Sequence, residues 1–202
     1  RYSPWEKEGA GVYNVAVFNE NPFNKLKYTP SFVSEKESFR LNKISIVEKL
    51  NEYLKKAENP KEKDRDYYYF LVANCYYNMS QYGNVWMMKR YFLSSRNFSV
   101  REDNEEFNTT NLAGMYYSKA FRFAKTKKFK ALCLRMQGRC ENNRLDFLQE
   151  QNDEYFYKDS IYIESRLAKN KFYQKLLKEY PKEYDDLMSN CDFFQSYFKA
   201  RR

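Results

Sequence analysis

Turn-forming residues are scarce in this chain, and that scarcity narrows its fold more than any motif does. Only 5 glycines and 5 prolines stand against 20 tyrosines and 17 phenylalanines in 202 residues. Bulky side chains with so little turn chemistry favour long helices joined by short polar loops over many short strands. The few turn-formers cluster: Pro4, Pro22 and Pro30 and two of the glycines fall in the first 40 residues, beside the more strand-like stretch VYNVAVFN. Residues 1–40 are therefore expected to form an irregular arm. Residues 41–202 are expected to form one all-α domain, long enough to bury a core without staples.

From about Lys43 the apolar spacing turns helical, with Val47, Leu50 and Leu54 repeating until Pro60. Asp66 is placed to cap a second helix, DYYYFLVANCYYNMSQYG, with Tyr69, Val72, Ala73 and Tyr76 on one face and Gly83 as its stop. Asn84 or Val85 opens a third, VWMMKRYFLSS, apolar most of the way round as in a helix packed on two sides. The acidic stretch RNFSVREDNEEFN reads as a loop, after which Thr109 or Thr110 caps NLAGMYYSKAFRFAKT. Phe129, Leu132, Cys133, Met136 and Cys140 make the stripe of the next helix. EYFYKDSIYIESRLAKN and FYQKLLKEY give one or two more that stop near Pro181. The last helix carries Tyr184, Leu187, Met188, Cys191, Phe194 and Phe198 on one face.

The chain contains no histidine. That rules out Ser-His-Asp and Cys-His nucleophile systems and Cys/His or HExxH zinc sites built within it. Cys75, Cys133, Cys140 and Cys191 are scattered with no CxxC pair, and each sits among apolar neighbours, so they read as core filler. Glu102, Asp103, Glu105 and Glu106 fall in the expected acidic loop, a solvated setting with nothing to separate two carboxyl pKa values as glycosidase chemistry needs. Ser118 and Lys119 are sequence neighbours in a helix and point apart. No catalytic residue, cofactor or metal is expected.

The net charge of +9 is concentrated rather than spread. Between Lys119 and Arg144 nine basic residues meet one acid, Glu141, which accounts for nearly all of it. Lys125, Lys128, Arg135 and Arg139 are the candidate partner-binding residues, the last three on nearly one line of their helix as a basic ridge beside the apolar stripe. Such a ridge suits an acidic protein, anionic headgroups or phosphates. No helix-turn-helix, RNP-type strand or phosphate-cradling Gly-rich loop accompanies it, so a protein-facing ridge is favoured over a nucleic-acid groove.

In AGMYYSKA, the spacing of Ala113, Tyr117 and Ala120 resembles the second helix of a tetratricopeptide repeat, and Tyr69, Val72, Ala73 and Tyr76 resemble a first helix. The 34-residue period is broken by the stretch at about 96–108, and the usual closing proline is missing after Ala120, so an irregular bundle stays open as the alternative. On a larger scale YYYFLVANCYYNMSQYGNVWMMKRYF, YYSKA, RCENN and LLKEYPKEYDDLMSNCDFFQSY resemble the C-terminal part of large Bacteroidota cell-envelope proteins with tetratricopeptide-like helices, over about residues 20–198. That resemblance implies stacked antiparallel helix pairs in a periplasmic or outer-membrane-associated scaffold. It also implies a lipoprotein anchor on a parent polypeptide, of which this chain, not beginning with Met, is expected to be a part. FLVANCYYNMSQYGNV is also similar to the helix of SusD-like glycan-binding lipoproteins, which would make Tyr82, Gly83 and Trp86 a sugar-stacking surface. The resulting expectation is a non-catalytic protein-interaction scaffold, with a glycan-binding surface protein and an RNA-binding helical module as alternatives.

Overall fold

The computed structural model describes residues 21–24, 41–89, 101–152 and 159–189. Among them are eight α-helices and no strand: α1 (Lys43–Glu58), α2 (Arg65–Asn78), α3 (Arg101–Thr109), α4 (Asn111–Phe123), α5 (Lys127–Asn152), α6 (Ser160–Lys169), α7 (Lys171–Glu179) and α8 (Pro181–Ser189), with a short 3-10 turn at Trp86–Met88. The all-α expectation holds for these residues. The strand-like VYNVAVFN, most of VWMMKRYFLSS beyond the 3-10 turn, and Cys191, Phe194 and Phe198 lie outside them.

α1 begins with a reciprocal cap: Asn42 Oδ1 accepts from the Ser45 N–H at 2.9 Å and Ser45 Oγ accepts from the Asn42 N–H at 3.2 Å, which satisfies two otherwise orphaned donors. Its buried stripe is Ile46, Leu50, Tyr53 and Ala57, whereas Val47 is 44% exposed. Of the expected stripe Leu50 is buried and Leu54 half-buried, while Ile46 takes the place expected of Val47. Tyr53, whose hydroxyl lowers its weight on any hydropathy count, is the residue that sets the face.

α2 is the wall shared by two apolar clusters. One joins Phe70 and Tyr77 to Tyr117 of α4, Leu132 and Met136 of α5, and Leu176 of α7. The other joins Leu71, Val72 and Cys75 to Ile46 and Leu50 of α1 and to Phe23. A helix buried on both sides has no strong polar face, and α2 buries residues all round. It begins at Arg65, not after Asp66: Asp64 holds the cap position but its side chain does not cap the helix, and Asp66 lies buried in the first turn.

The stretch expected as an acidic loop is in part helix, since 101–109 form α3. Local bonds hold its end, with Asn108 Nδ2 donating to Asn104 O at 2.7 Å and Thr109 Oγ1 to Glu105 O at 2.9 Å, and Phe107 anchors it in the interior at 2% exposure. Thr110 then turns the chain with a left-handed φ of 56°, costly for a β-branched residue. Its side chain does not cap α4. Glu106 does, accepting the Leu112 N–H at 2.9 and 3.1 Å on its two oxygens.

α5 buries Phe129, Leu132, Cys133, Met136 and Cys140, the stripe expected of it, and further faces besides. Each principal helix packs on the next: α1 on α2, α2 on α4, α4 on α5 and α5 on α7, with α3 and α8 also on α5 and α6 on α7. Pro181, expected as a stop, also occupies the first position of α8, where its missing N–H leaves no bond unmade. Cys75, Cys133 and Cys140 are buried and unpaired. Burial raises all three thiols, Cys140 to about 12, so they are inert fillers at neutral pH.

Candidate interaction surface

α2 and α4 meet along a file of rings. On one side Phe70 packs edge-on to Tyr117 at 5.3 Å, and the fully buried Ala113 and Ala120 allow the close approach. Tyr117 is itself fully buried, and its hydroxyl donates to Asn74 Oδ1 at 2.6 Å. The other side reaches solvent. There Phe123, Tyr69, Tyr116 and Tyr76 lie in a near-parallel stack, with Tyr69–Phe123 at 5.7 Å, Tyr69–Tyr116 at 6.3 Å and Tyr76–Tyr116 at 5.3 Å.

Two cations ride on this stack. Lys119 Nζ lies 4.9 Å from the Tyr116 ring centroid and 5.5 Å from that of Tyr69. The Arg65 guanidinium lies 4.0 Å from Phe123 and 5.9 Å from Tyr69, and its Nε donates to Ala57 O at 2.8 Å. Such cation–ring contacts contribute about 0.5–1 kcal/mol each at exposed sites. Neither cation makes an ion pair among the described residues. A ring face neutralises no charge, so among the described residues the charges of Lys119 and Arg65 are not cancelled. Burial raises the Tyr76 and Tyr116 phenols, so both stay neutral.

The structure divides the sequence-derived ridge. Lys125 and Lys128 are exposed, Lys125 Nζ donating to Lys63 O at 3.1 Å. Arg135 and Arg139 are instead half-buried against other helices. Arg135 Nη1 donates to the Tyr173 hydroxyl at 2.9 Å and its Nε to Leu187 O at 3.1 Å, which ties α5 to α7 and α8. Arg139 lies 5.7 Å from the Tyr77 ring centroid. Lys119 and Arg65 are half-buried too, and the sequence does not single out their place over the rings because ring stacking is invisible without the α2–α4 register.

Glu105 is exposed, while Glu106 is half-buried; burial raises its carboxyl, partly offset by the Leu112 N–H that it caps. The solvated-loop reading is corrected at Glu106, whose work is in the α3–α4 joint. Ser118 is exposed beside Lys119. Tyr82 is half-buried against Tyr77 at 6.5 Å, Trp86 is half-buried, and Gly83 lies so close to the Asn78 backbone that a Cβ would collide with it. Among the described residues no group of acids and cysteines is placed to hold a metal, and no helix is long and apolar enough to cross a membrane. Comparison of the chain with family models, with curated proteins and with solved structures yields no match.

Proposed function

We propose that the chain is a non-catalytic protein-interaction scaffold of tetratricopeptide-like, antiparallel helix pairs, serving a cell-envelope assembly and docking an acidic segment of another protein on its α2–α4 face. The carrying observation is the pair of cations, Lys119 and Arg65, which make no ion pair among the described residues and lie over a ring stack whose Tyr76, Tyr116 and Phe123 are half-buried. Rings give large contact area at low entropic cost, and cations lying over them select for carboxylates. Exposed Lys125 and Lys128 extend the same sign of charge. Helix-on-next-helix packing supports the repeat reading, and the lack of histidine supports a binding role over a catalytic one.

The test is affinity capture from cell-envelope extract with the wild-type chain and with a Lys119→Glu, Lys125→Glu, Lys128→Glu variant as baits. A partner recovered reproducibly by the first, eluted by moderate salt and lost to the second is the expected result. An identical set of captured proteins on both baits would remove the proposal's support. Affinity electrophoresis against polysaccharides separates the glycan-binding alternative, which requires a mobility shift abolished by Trp86→Ala.

A further inference from the structure

Asn74 and Asn78 lie one helical turn apart on α2, and helix packing does not account for them. Both are fully buried, where apolar residues would pack with no polar group to satisfy. Each directs its amide donor at a main-chain carbonyl of a distant segment: Asn74 Nδ2 to Phe23 O and Asn78 Nδ2 to Pro22 O, both at 2.8 Å. Their oxygens are held from behind, Asn74 Oδ1 by the Tyr117 hydroxyl at 2.6 Å and Asn78 Oδ1 by the Asn84 N–H at 3.4 Å. The two donors are thus fixed to face the α1–α2 groove.

The segment they hold is a compact turn. Asn21 Oδ1 accepts the Phe23 N–H at 2.9 Å, and Asn21 O accepts the Asn24 N–H at 3.4 Å. Pro22 pre-sets the backbone and presents its carbonyl. Phe23 drops into the groove at 2% exposure, edge-on to Tyr53 at 5.0 Å and clustered with Ile46 and Leu50. Two successive carbonyls read by side-chain amides, with one ring read by an apolar socket, amount to peptide recognition: main-chain bonds fix the register and the anchor gives identity.

We propose that the α1–α2 groove is a recognition site for an Asn-Pro-aromatic turn, filled in cis by residues 21–24 and able to take the same turn from a partner protein. This deepens the scaffold reading by naming the peptide chemistry of a second surface, and it rests on that reading only for its biological use. A tethered segment acts at an effective concentration in the millimolar range, so a free peptide competes poorly until the tethered turn is disabled.

The test titrates a fluorescein-labelled peptide of residues 19–27 against the full chain, read by fluorescence anisotropy. Phe23→Ala should bind it at least tenfold more tightly than wild type does. Adding Asn78→Leu, or replacing the phenylalanine of the peptide by alanine, should lower that affinity at least tenfold. Circular dichroism establishes that each chain is folded, and Phe23→Leu, which keeps an apolar plug without the ring, is a milder second variant. Equal affinity of wild type and both folded variants for the peptide overturns the proposal, as does failure of both variants to fold, which would make the turn a structural plug alone. Loss of extract capture by the lysine variant leaves this titration unchanged, so the two proposals fail separately.

Discussion

Gly138 sits in the middle of α5, where replacement by alanine on a solvent-facing helix would stabilise the fold by about 1 kcal/mol through reduced backbone entropy. The surroundings reverse that sign. A Cβ built on Gly138 falls inside the Tyr173 ring, against Cε1 and Cδ1. That ring has little freedom to retreat: it is 3% exposed, its hydroxyl takes a hydrogen bond from Arg135 at 2.9 Å, and α7 is fixed by Asn170 Nδ2 donating to Gly138 O at 2.7 Å. Expelling a buried aromatic ring costs about 3–5 kcal/mol, and subtracting the propensity gain leaves Gly138→Ala destabilising by about 2–4 kcal/mol. For a chain of this size that lowers Tm by about 5–15 °C. Urea denaturation of four proteins separates the effects: wild type, Gly138→Ala, Tyr173→Ala and the double variant. In the Tyr173→Ala background, with the ring gone, Gly138→Ala should turn stabilising by up to about 1 kcal/mol. If Gly138→Ala raises stability in the wild-type background, or stays equally harmful without the ring, the α5–α7 contact has been misread.

Three further outcomes follow from the polar joints. Tyr117→Phe leaves the buried Asn74 Oδ1 without its 2.6 Å donor, which should lower stability by about 1–3 kcal/mol with little change in helix content; a loss below 0.3 kcal/mol in urea titration would contradict the bond. Glu106→Gln tests burial against capping: the folded-state carboxyl lies above its ordinary value because of burial, so its favourable share is present at low pH and lost as pH rises through the folded pKa. The variant should therefore gain on wild type between pH 4 and pH 7, and a pH-independent difference would refute this. Glu52 runs oppositely, since the Lys56 and Lys49 ammonium groups hold it below the usual range. Lys49→Met with Lys56→Met should return its carboxyl NMR titration to the ordinary range; an unmoved midpoint would exclude the pairing.

Helix existence was legible in the sequence because it rests on apolar period, which survives without knowledge of neighbours: α1, α2, α4 and the full stripe of α5 are where spacing puts them. What was not legible depended on partners. α3 reads as a loop because its acidic surface masks the one ring, Phe107, that ties it down. Asp66 looks like a cap by residue type, yet the turn before α2 places the cap position at Asp64. Arg135 and Arg139 align with Lys128 along α5, but alignment on one helix says nothing of which stretch another helix covers, and Tyr173 and Tyr77 claim the two arginines. Charge is readable residue by residue, whereas exposure belongs to pairs of helices.

The same device recurs wherever the fold must choose between similar packings. Apolar burial is non-directional, and it specifies the register of neighbouring helices less sharply than a buried hydrogen bond does. Asn74 and Asn78 bind main-chain carbonyls at residues 23 and 22, and Asn170 binds that of Gly138 while capping α7 through the Phe172 and Tyr173 N–H groups. A buried amide is satisfied at one register and orphaned at the next, a difference of about 1–3 kcal/mol per group. Asp146 serves similarly for α6, which buries no side chain of its own. The carboxylate takes Arg166 Nη1 on both oxygens at 2.8 Å and the Tyr162 hydroxyl at 2.9 Å. Apolar area thus sets how strongly these helices associate, and a few buried polar side chains set where, which is why truncating one of them should loosen a joint more than its small contact area suggests.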